Sequence, residues 1–231
     1  MDFRERHVVV TGGTGALGAA MVAALLEHGA ICHVPYRDEK QRDRYPHRDR
    51  VTMVPVADLA DEEAVATLYA AIPELWASIH LAGGFAMSKI ADTAKGDLQG
   101  QLDINFVTAF LCSREAVKAM TRTGNGGRIV NVAAKAALEP RSGTGMVAYA
   151  VSKAAVAAMT AALAEEVVKA GILVNAVAPS IMDTPQNRAD MPKADFSHWP
   201  KVEEVAATIL HLASPDNKVT RGAIVPVYGK S

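Results

Sequence analysis

The 231-residue sequence predicts a single-domain α/β fold, a doubly wound parallel sheet with helices on both faces. Three observations predict it. Short runs rich in valine and isoleucine alternate with longer amphipathic or alanine-rich stretches. Those short runs hold little internal polarity, which suits strands buried on both sides, as parallel strands between helical layers are. No break in composition, internal repeat or low-complexity linker divides the chain, so residues 1–231 are read as one domain.

Taken in order, "HVVVTG" (7–12) reads as the first strand and leads through a glycine-rich turn into a helix, "LGAAMVAALLEHG" (17–29). "AICHVPY" (30–36) is the second strand, and a dense charge run, "RDEKQRDRYPHRDR" (37–50), breaks the rhythm after it. "RVTMVPV" (50–56), "ASIHLAG" (77–83), "GRIVNVA" (127–133), "GILVNAVAP" (171–179) and "GAIVPVYG" (222–229) continue the strands. The intervening helices are "DEEAVATLYAAI" (61–72), "LQGQLDINFVTAFLCSREAVKAM" (98–120), "VAYAVSKAAVAAMTAALAEEVVKAG" (147–171) and "KVEEVAATILHLAS" (201–214). The second irregular segment is a long proline-punctuated connection, Pro179 to Pro200. Both irregular segments follow strands, at the carboxyl edge where open parallel sheets bind ligands, and the longer one is read as a substrate loop.

A formal net charge of -1 gives no global basic surface for nucleic acid or an anionic membrane, so the expected partner is a small molecule. Two cysteines, Cys32 and Cys112, sit in apolar runs and suggest neither a disulfide framework nor a cysteine metal site, which fits a reducing cytoplasm. The start shows no secretory cleavage pattern, and no apolar run reads as long enough to span a bilayer. Seven scattered histidines lack the helical pairing of a zinc protease, and no protein-bound metal is expected.

Gly13, Gly15 and Gly18 satisfy the spacing G-x-G-x-x-G between the first strand and the first helix, and Gly12 adds room for backbone to approach a pyrophosphate. With Thr14, Ala16 and Leu17 they form the candidate phosphate turn; the plainer reading is a tight connection. At the end of the second strand, where many NAD sites place a carboxylate, stands Arg37, which suits a 2'-phosphate and favours NADP(H) over NAD(H); the alternative is a solvated charge run. Asp58, followed by Leu59, is placed either to contact adenine or to cap the next helix. Ala82, Gly83 and Gly84 close the fourth strand with residues that let backbone lie against a cofactor, or that simply turn tightly.

Tyr149 and Lys153 stand four residues apart in a helical pattern, so both project from one face. A nearby ammonium lowers the pKa of a phenol, and such a pair can shuttle a proton; a packed tyrosine beside a snorkelling lysine is the commoner use of this spacing.

In combination these pieces are less generic. "TGGTGALG", "DL" at Asp58, "LAGG", Asn105 in "DINFVTAF", "RIVNV", "YAVSK" and "VNAVAPSIMDTP" follow one another in the order seen in the short-chain dehydrogenase/reductase family, which the chain resembles from about Arg6 to Gly229. The resemblance implies a Rossmann-type fold, Tyr149 as general acid, Lys153 as its tuner and ribose contact, and Asn105 as anchor of a water relay. It also implies cofactor contacts at Pro179 and Thr184, and a homodimer or homotetramer assembled through the helices that hold Asn105 and Tyr149.

Three departures stand out. Ala133-Ala134 occupy the place where most members carry a serine that hydrogen-bonds the substrate carbonyl, Ala16 replaces a glycine, and Ser180 replaces another. One branch, quinonoid dihydropteridine reductase, also lacks the serine, and "AAKAALEPRSGTGMVAYAVSKAAV" and "DTPQNRADMPKADFSHW" resemble it. That resemblance implies a planar, electron-poor substrate that needs a proton and a hydride but little carbonyl polarisation. Phe85, Phe196 and Trp199 are then candidate stacking walls, or equally loop anchors. Two further readings are a carbonyl or 3-oxoacyl reductase in which Ser142 or Thr144 replaces the missing serine, and an NADP(H)-binding protein without catalysis.

Overall fold

The computed structural model describes residues 1–231 and contains a seven-stranded parallel sheet in the order β3-β2-β1-β4-β5-β6-β7. The strands are β1 (His7–Thr11), β2 (Ile31–Tyr36), β3 (Thr52–Pro55), β4 (Leu75–His80), β5 (Gly127–Val132), β6 (Ile172–Pro179) and β7 (Ile224–Val227). The order runs outward in opposite directions from β1 and β4, so the crevice outside their carboxyl ends is the topological switch point where such sheets take ligands.

Alternation along each strand builds two cores. Val8 and Val10 of β1 and Val130 of β5 face one layer, where helices α1 (Ala16–Glu27) and α9 (Val202–Ala213) supply Met21, Leu25, Val205 and Ile209. Val9 and Ile129, one residue out of phase, face the other layer, formed by α3 (Glu62–Ala70), α5 (Thr108–Thr123) and α7 (Val147–Glu166). Every residue from Ile172 to Pro179 of β6 is buried, as a central parallel strand requires.

The structure differs from the sequence reading in four places. The charge run contains a short helix, α2 (Glu39–Arg44), whose amino end is capped by the Asp38 carboxylate accepting from the Gln41 N–H at 3.0 Å. It buries nothing, so no apolar period announced it. The helix expected over 98–120 is α4 (Lys95–Leu102), a π turn at Asp103–Val107, and then α5. Short helices α6 (Lys135–Leu138) and α8 (Pro185–Asp190) lie in segments read as connections. Finally, α7 is 20 residues long with a mean hydropathy of 1.5 over its most apolar window, enough by length and composition to cross a membrane, contrary to the expectation. Here it packs along β5 and β6 through Ser152, Lys153, Val156, Thr160 and Ala164, while much of its alanine-rich surface faces outward.

Candidate active site

The turn after β1 is shaped by atoms it does not have. Gly12 takes φ +67°, and a Cβ there would lie 2.6 Å from the Ala82 nitrogen, so the turn rests directly on the backbone leaving β4. A Cβ on Gly18 would come within 2.2 Å of the Gly12 carbonyl oxygen, which locks the first turn of α1 against the loop. At the amino end of α1 no side chain caps the free amides and no acidic residue occupies the first turn. Those donors, aligned with the helix dipole, fit a pyrophosphate. Beside the turn, a cavity of about 360 Å³ is lined by Thr14, Asp38, Lys40 and Arg44. Lys40 and Arg44 give no signal in the sequence, because their helix carries no apolar period; Arg37 stands exposed just before it, with its N–H donating to Gln41 Oε1 at 3.0 Å.

Asp58 and Leu59 follow β3, and Asp58 accepts from the Ala60 N–H at 2.8 Å. Of the two roles read for Asp58, the helix cap belongs instead to Asp61, whose carboxylate accepts from the Ala64 N–H at 2.8 Å. Pro179 ends β6, and Thr184 caps α8 by accepting from the Asn187 N–H at 3.1 Å, which leaves its hydroxyl proton free to donate.

Asn105, Lys153, Gly83 and Gly84 meet at the carboxyl end of β4. The π turn aims Asn105 inward, where its amide donates to the Gly84 carbonyl at 2.9 Å and its carbonyl accepts from the Gly84 N–H at 3.1 Å. A Cβ on Gly83 would lie 2.7 Å from Asn105 Oδ1 and 3.4 Å from Lys153 Nζ, so glycine is needed for the three to converge. Lys153, only 7% exposed, donates to the Val132 carbonyl at 2.8 Å. Phe85 sits edge-to-face on Tyr149 with centroids 5.0 Å apart, yet is 60% exposed, so one face of it is open to a ligand.

The protonation states differ from those expected. Burial pushes the Tyr149 phenol up to about 12, and burial pulls the Lys153 ammonium down to about 8. The expected lowering of the phenol by the lysine does not occur: burial alone, which penalises each charged form, sets both shifts. At neutral pH Tyr149 holds its proton and Lys153 is largely charged.

Beneath the site runs a buried polar chain that sequence reasoning missed. Asn131 donates to Thr160 Oγ1 at 2.9 Å, so its carbonyl is the acceptor for His80 Nδ1 at 2.7 Å. That fixes the Nδ1–H tautomer and leaves Nε2 to accept from Ser78 at 2.8 Å, which in turn accepts from Tyr69 at 2.7 Å. Burial holds His80 down to about 4, so it stays neutral. Asn131 immediately precedes Val132, whose carbonyl holds Lys153.

Ala133 and Ala134 are buried at the place where the resemblance implies a donor serine. Ser142 and Thr144 spend their hydroxyl protons within their own turn, on the Glu139 carbonyl at 2.8 Å and the Arg141 carbonyl at 3.0 Å. In the substrate loop, Trp199 is 8% exposed and packs on Phe196 with centroids 4.9 Å apart. Arg188 covers the Phe196 ring at 4.9 Å while paired to Asp183. Trp199 is packed within the loop, Phe196 is half-buried beneath Arg188, and of the three aromatics only Phe85 meets Tyr149.

The model of the short chain dehydrogenase family matches residues 6–195. Galactitol 2-dehydrogenase of Rhizobium johnstonii is 33% identical over 96% of this chain and 93% of its own. The (2S)-[(R)-hydroxy(phenyl)methyl]succinyl-CoA dehydrogenase subunit BbsD of Thauera aromatica is 29% identical over 99% of this chain and 97% of its own. A solved structure, ElxO with NADP bound, superposes with a TM-score of 0.86 at 24% identity, covering 97% of each chain. The chain belongs to the short-chain dehydrogenase family and is an NAD(P)-dependent oxidoreductase.

Proposed function

We propose that the enzyme is a dihydropteridine reductase-like member of the family, reducing a planar, electron-poor heteroaromatic such as a dihydropterin with NADPH in preference to NADH. The observation that carries this reading is the buried Ala133-Ala134 pair, with the nearby Ser142 and Thr144 hydroxyls engaged in their own turn. Losing a positioned oxyanion donor costs about 3 kcal/mol in other enzymes, a penalty that a substrate already electron-poor escapes.

A bound nicotinamide supplies the hydride. The chain supplies the proton: Tyr149 holds it at its phenolic oxygen near pH 7 and gives it up as general acid. Lys153 brings the positive charge of the site, anchored by the Val132 carbonyl, and Asn105 fixes the backbone of Gly84 beside it. Phe85 offers a flat apolar face next to the phenol. NADPH is favoured because Lys40 and Arg44 line the cavity beside Thr14, where the Asp38 carboxylate is occupied in capping α2.

The enzyme is read as a homodimer or homotetramer, because Ile104, Phe110, Val147 and Val151 are exposed apolar side chains on the helical segments that hold Asn105 and Tyr149. Two free, buried cysteines support a reducing cytoplasm as its compartment.

One observation favours a second reading. Relatives named for alcohol chemistry, such as galactitol 2-dehydrogenase, suit a carbonyl substrate, with the turn at Ser142 and Thr144 rearranging to release a donor. One assay separates the two. NADPH and NADH oxidation is followed with quinonoid dihydropterin against a panel of ketones and 3-oxoacyl thioesters, in the native enzyme and in Ser142→Ala and Thr144→Ala. Dihydropterin turnover insensitive to both substitutions is expected; ketone turnover without dihydropterin turnover, abolished by one of them, would overturn the reading.

A further inference from the structure

A second cavity, also of about 360 Å³, opens at the amino-terminal edge of the sheet, where β5 and β6 begin. It lies at the far end of the strands from the glycine turn and Tyr149, and so belongs to neither cofactor nor substrate site. Arg128, Lys218 and Arg221 line it, and no carboxylate does.

Arg128 is the unusual member. It is 8% exposed, takes part in none of the chain's ion pairs, and keeps a buried Nε–H without an acceptor. Its other donors reach the Gly127 carbonyl at 2.8 Å and the Asn217 carbonyl at 2.6 Å. Arg6 lies 3.8 Å over the Trp76 ring and Arg128 4.9 Å from it, so the indole holds two guanidinium groups near one another. A buried guanidinium with like charges around it and no counter-ion is costly to keep. The chain as a whole is near neutral, so this is a local excess of positive charge.

The walls are preformed. Asn217 ties its loop to the Leu212 and Thr220 carbonyls, each at 3.1 Å, and Asn175 holds Thr220 again at 2.8 Å. Arg221 is paired only with Glu165, at an exposed 3.2 Å contact that an incoming anion can replace. Val168 and Leu173 add apolar wall, and Val219 stands 81% exposed at the rim. We propose that this cavity is a second ligand site, binding the phosphate group of a small molecule through Arg128, Lys218 and Arg221. Arg128 contributes a buried positive charge that no carboxylate neutralises, Lys218 and Arg221 contribute exposed donors, and the three cations balance the charge of a phosphate.

The test uses the enzyme saturated with NADP⁺, so that the dinucleotide site is filled, and titrates it calorimetrically with inorganic phosphate and separately with phenyl phosphate. Saturable one-to-one binding is expected, weakened about tenfold or more in Lys218→Ala/Arg221→Ala, two exposed positions whose loss leaves the fold intact. Phenyl phosphate binding much tighter than phosphate would mark an organic phosphate as the ligand, and equal binding would mark the free ion. Absence of saturable binding for both probes, or affinity unchanged in the double variant, would overturn the site. Either outcome is independent of which substrate Tyr149 serves.

Discussion

The glycine turn and the Tyr149 site lie at the same edge of the sheet but are built in opposite ways. At the turn the working atoms are backbone amides, and side chains are absent so that Gly18 can sit against the Gly12 carbonyl and Gly12 against Ala82. At Tyr149 the working atoms are side chains, held by burial and by single hydrogen bonds such as that from Lys153 to Val132. One region is therefore damaged by adding an atom and the other by removing one.

The largest expected effect comes from removal. Tyr149→Phe deletes the proton donor and should lower kcat by about a hundredfold to ten-thousandfold, while NADP⁺ affinity measured by fluorescence quenching stays within about twofold. Equal loss of both would show that the two regions are not separable. Addition comes next: Gly18→Ala places a methyl within 2.2 Å of the Gly12 carbonyl oxygen, and backbone on both sides has to shift. We expect about 1–3 kcal/mol of lost stability by denaturant titration and at least a tenfold weaker dinucleotide affinity.

The smallest effect concerns pH. Burial pulls Lys153 down to about 8 from 10.5, so below pH 8 both folded and unfolded chains carry the charge and the burial cost is present in full. As pH rises from 8 towards 10.5 the folded chain sheds its proton first and the cost disappears, so stability rises. Tyr149, pushed up from 10 to about 12, works against this only above pH 10. Between pH 8 and 10 the cofactor-free enzyme should therefore gain about 2 kcal/mol relative to Lys153→Met, read from paired urea titrations. Parallel curves would mean that Lys153 is not desolvated.

The two regions also differed in how far they could be read from sequence. Glycine spacing maps directly onto backbone geometry, so the turn, its strand and its helix were all legible, as was the alternation that builds the sheet. Tyr149, Lys153 and Asn105 were legible as residues, but the protonation of the pair was not, because desolvation depends on which elements close over the side chains. Lys40 and Arg44 were hidden because a solvated helix has no apolar period. Trp199 shows a further limit: an aromatic in a loop near a site reads equally as wall or anchor, and its burial against Phe196 depends on packing that no pattern announces. The chain through His80 and Asn131 was invisible for a related reason, since its members come from two strands and two helices that only the fold brings together.

The π turn at Asp103–Val107 has a consequence for how this segment tolerates length changes. A π turn spends one residue more than an α turn, and each residue advances a helix by about 100°. Deleting one residue between 103 and 107 would let the segment anneal into unbroken α-helix with α4 and α5 still in phase, but the residue left in place of Asn105 would be turned away from Gly84; forcing all the residues into α geometry would instead rotate α5 by about that angle against the sheet. The extra residue thus works as a phase insert: it lets α5 keep its apolar stripe on the sheet while Asn105 points at Gly84, two directions that one regular helix could not serve at once.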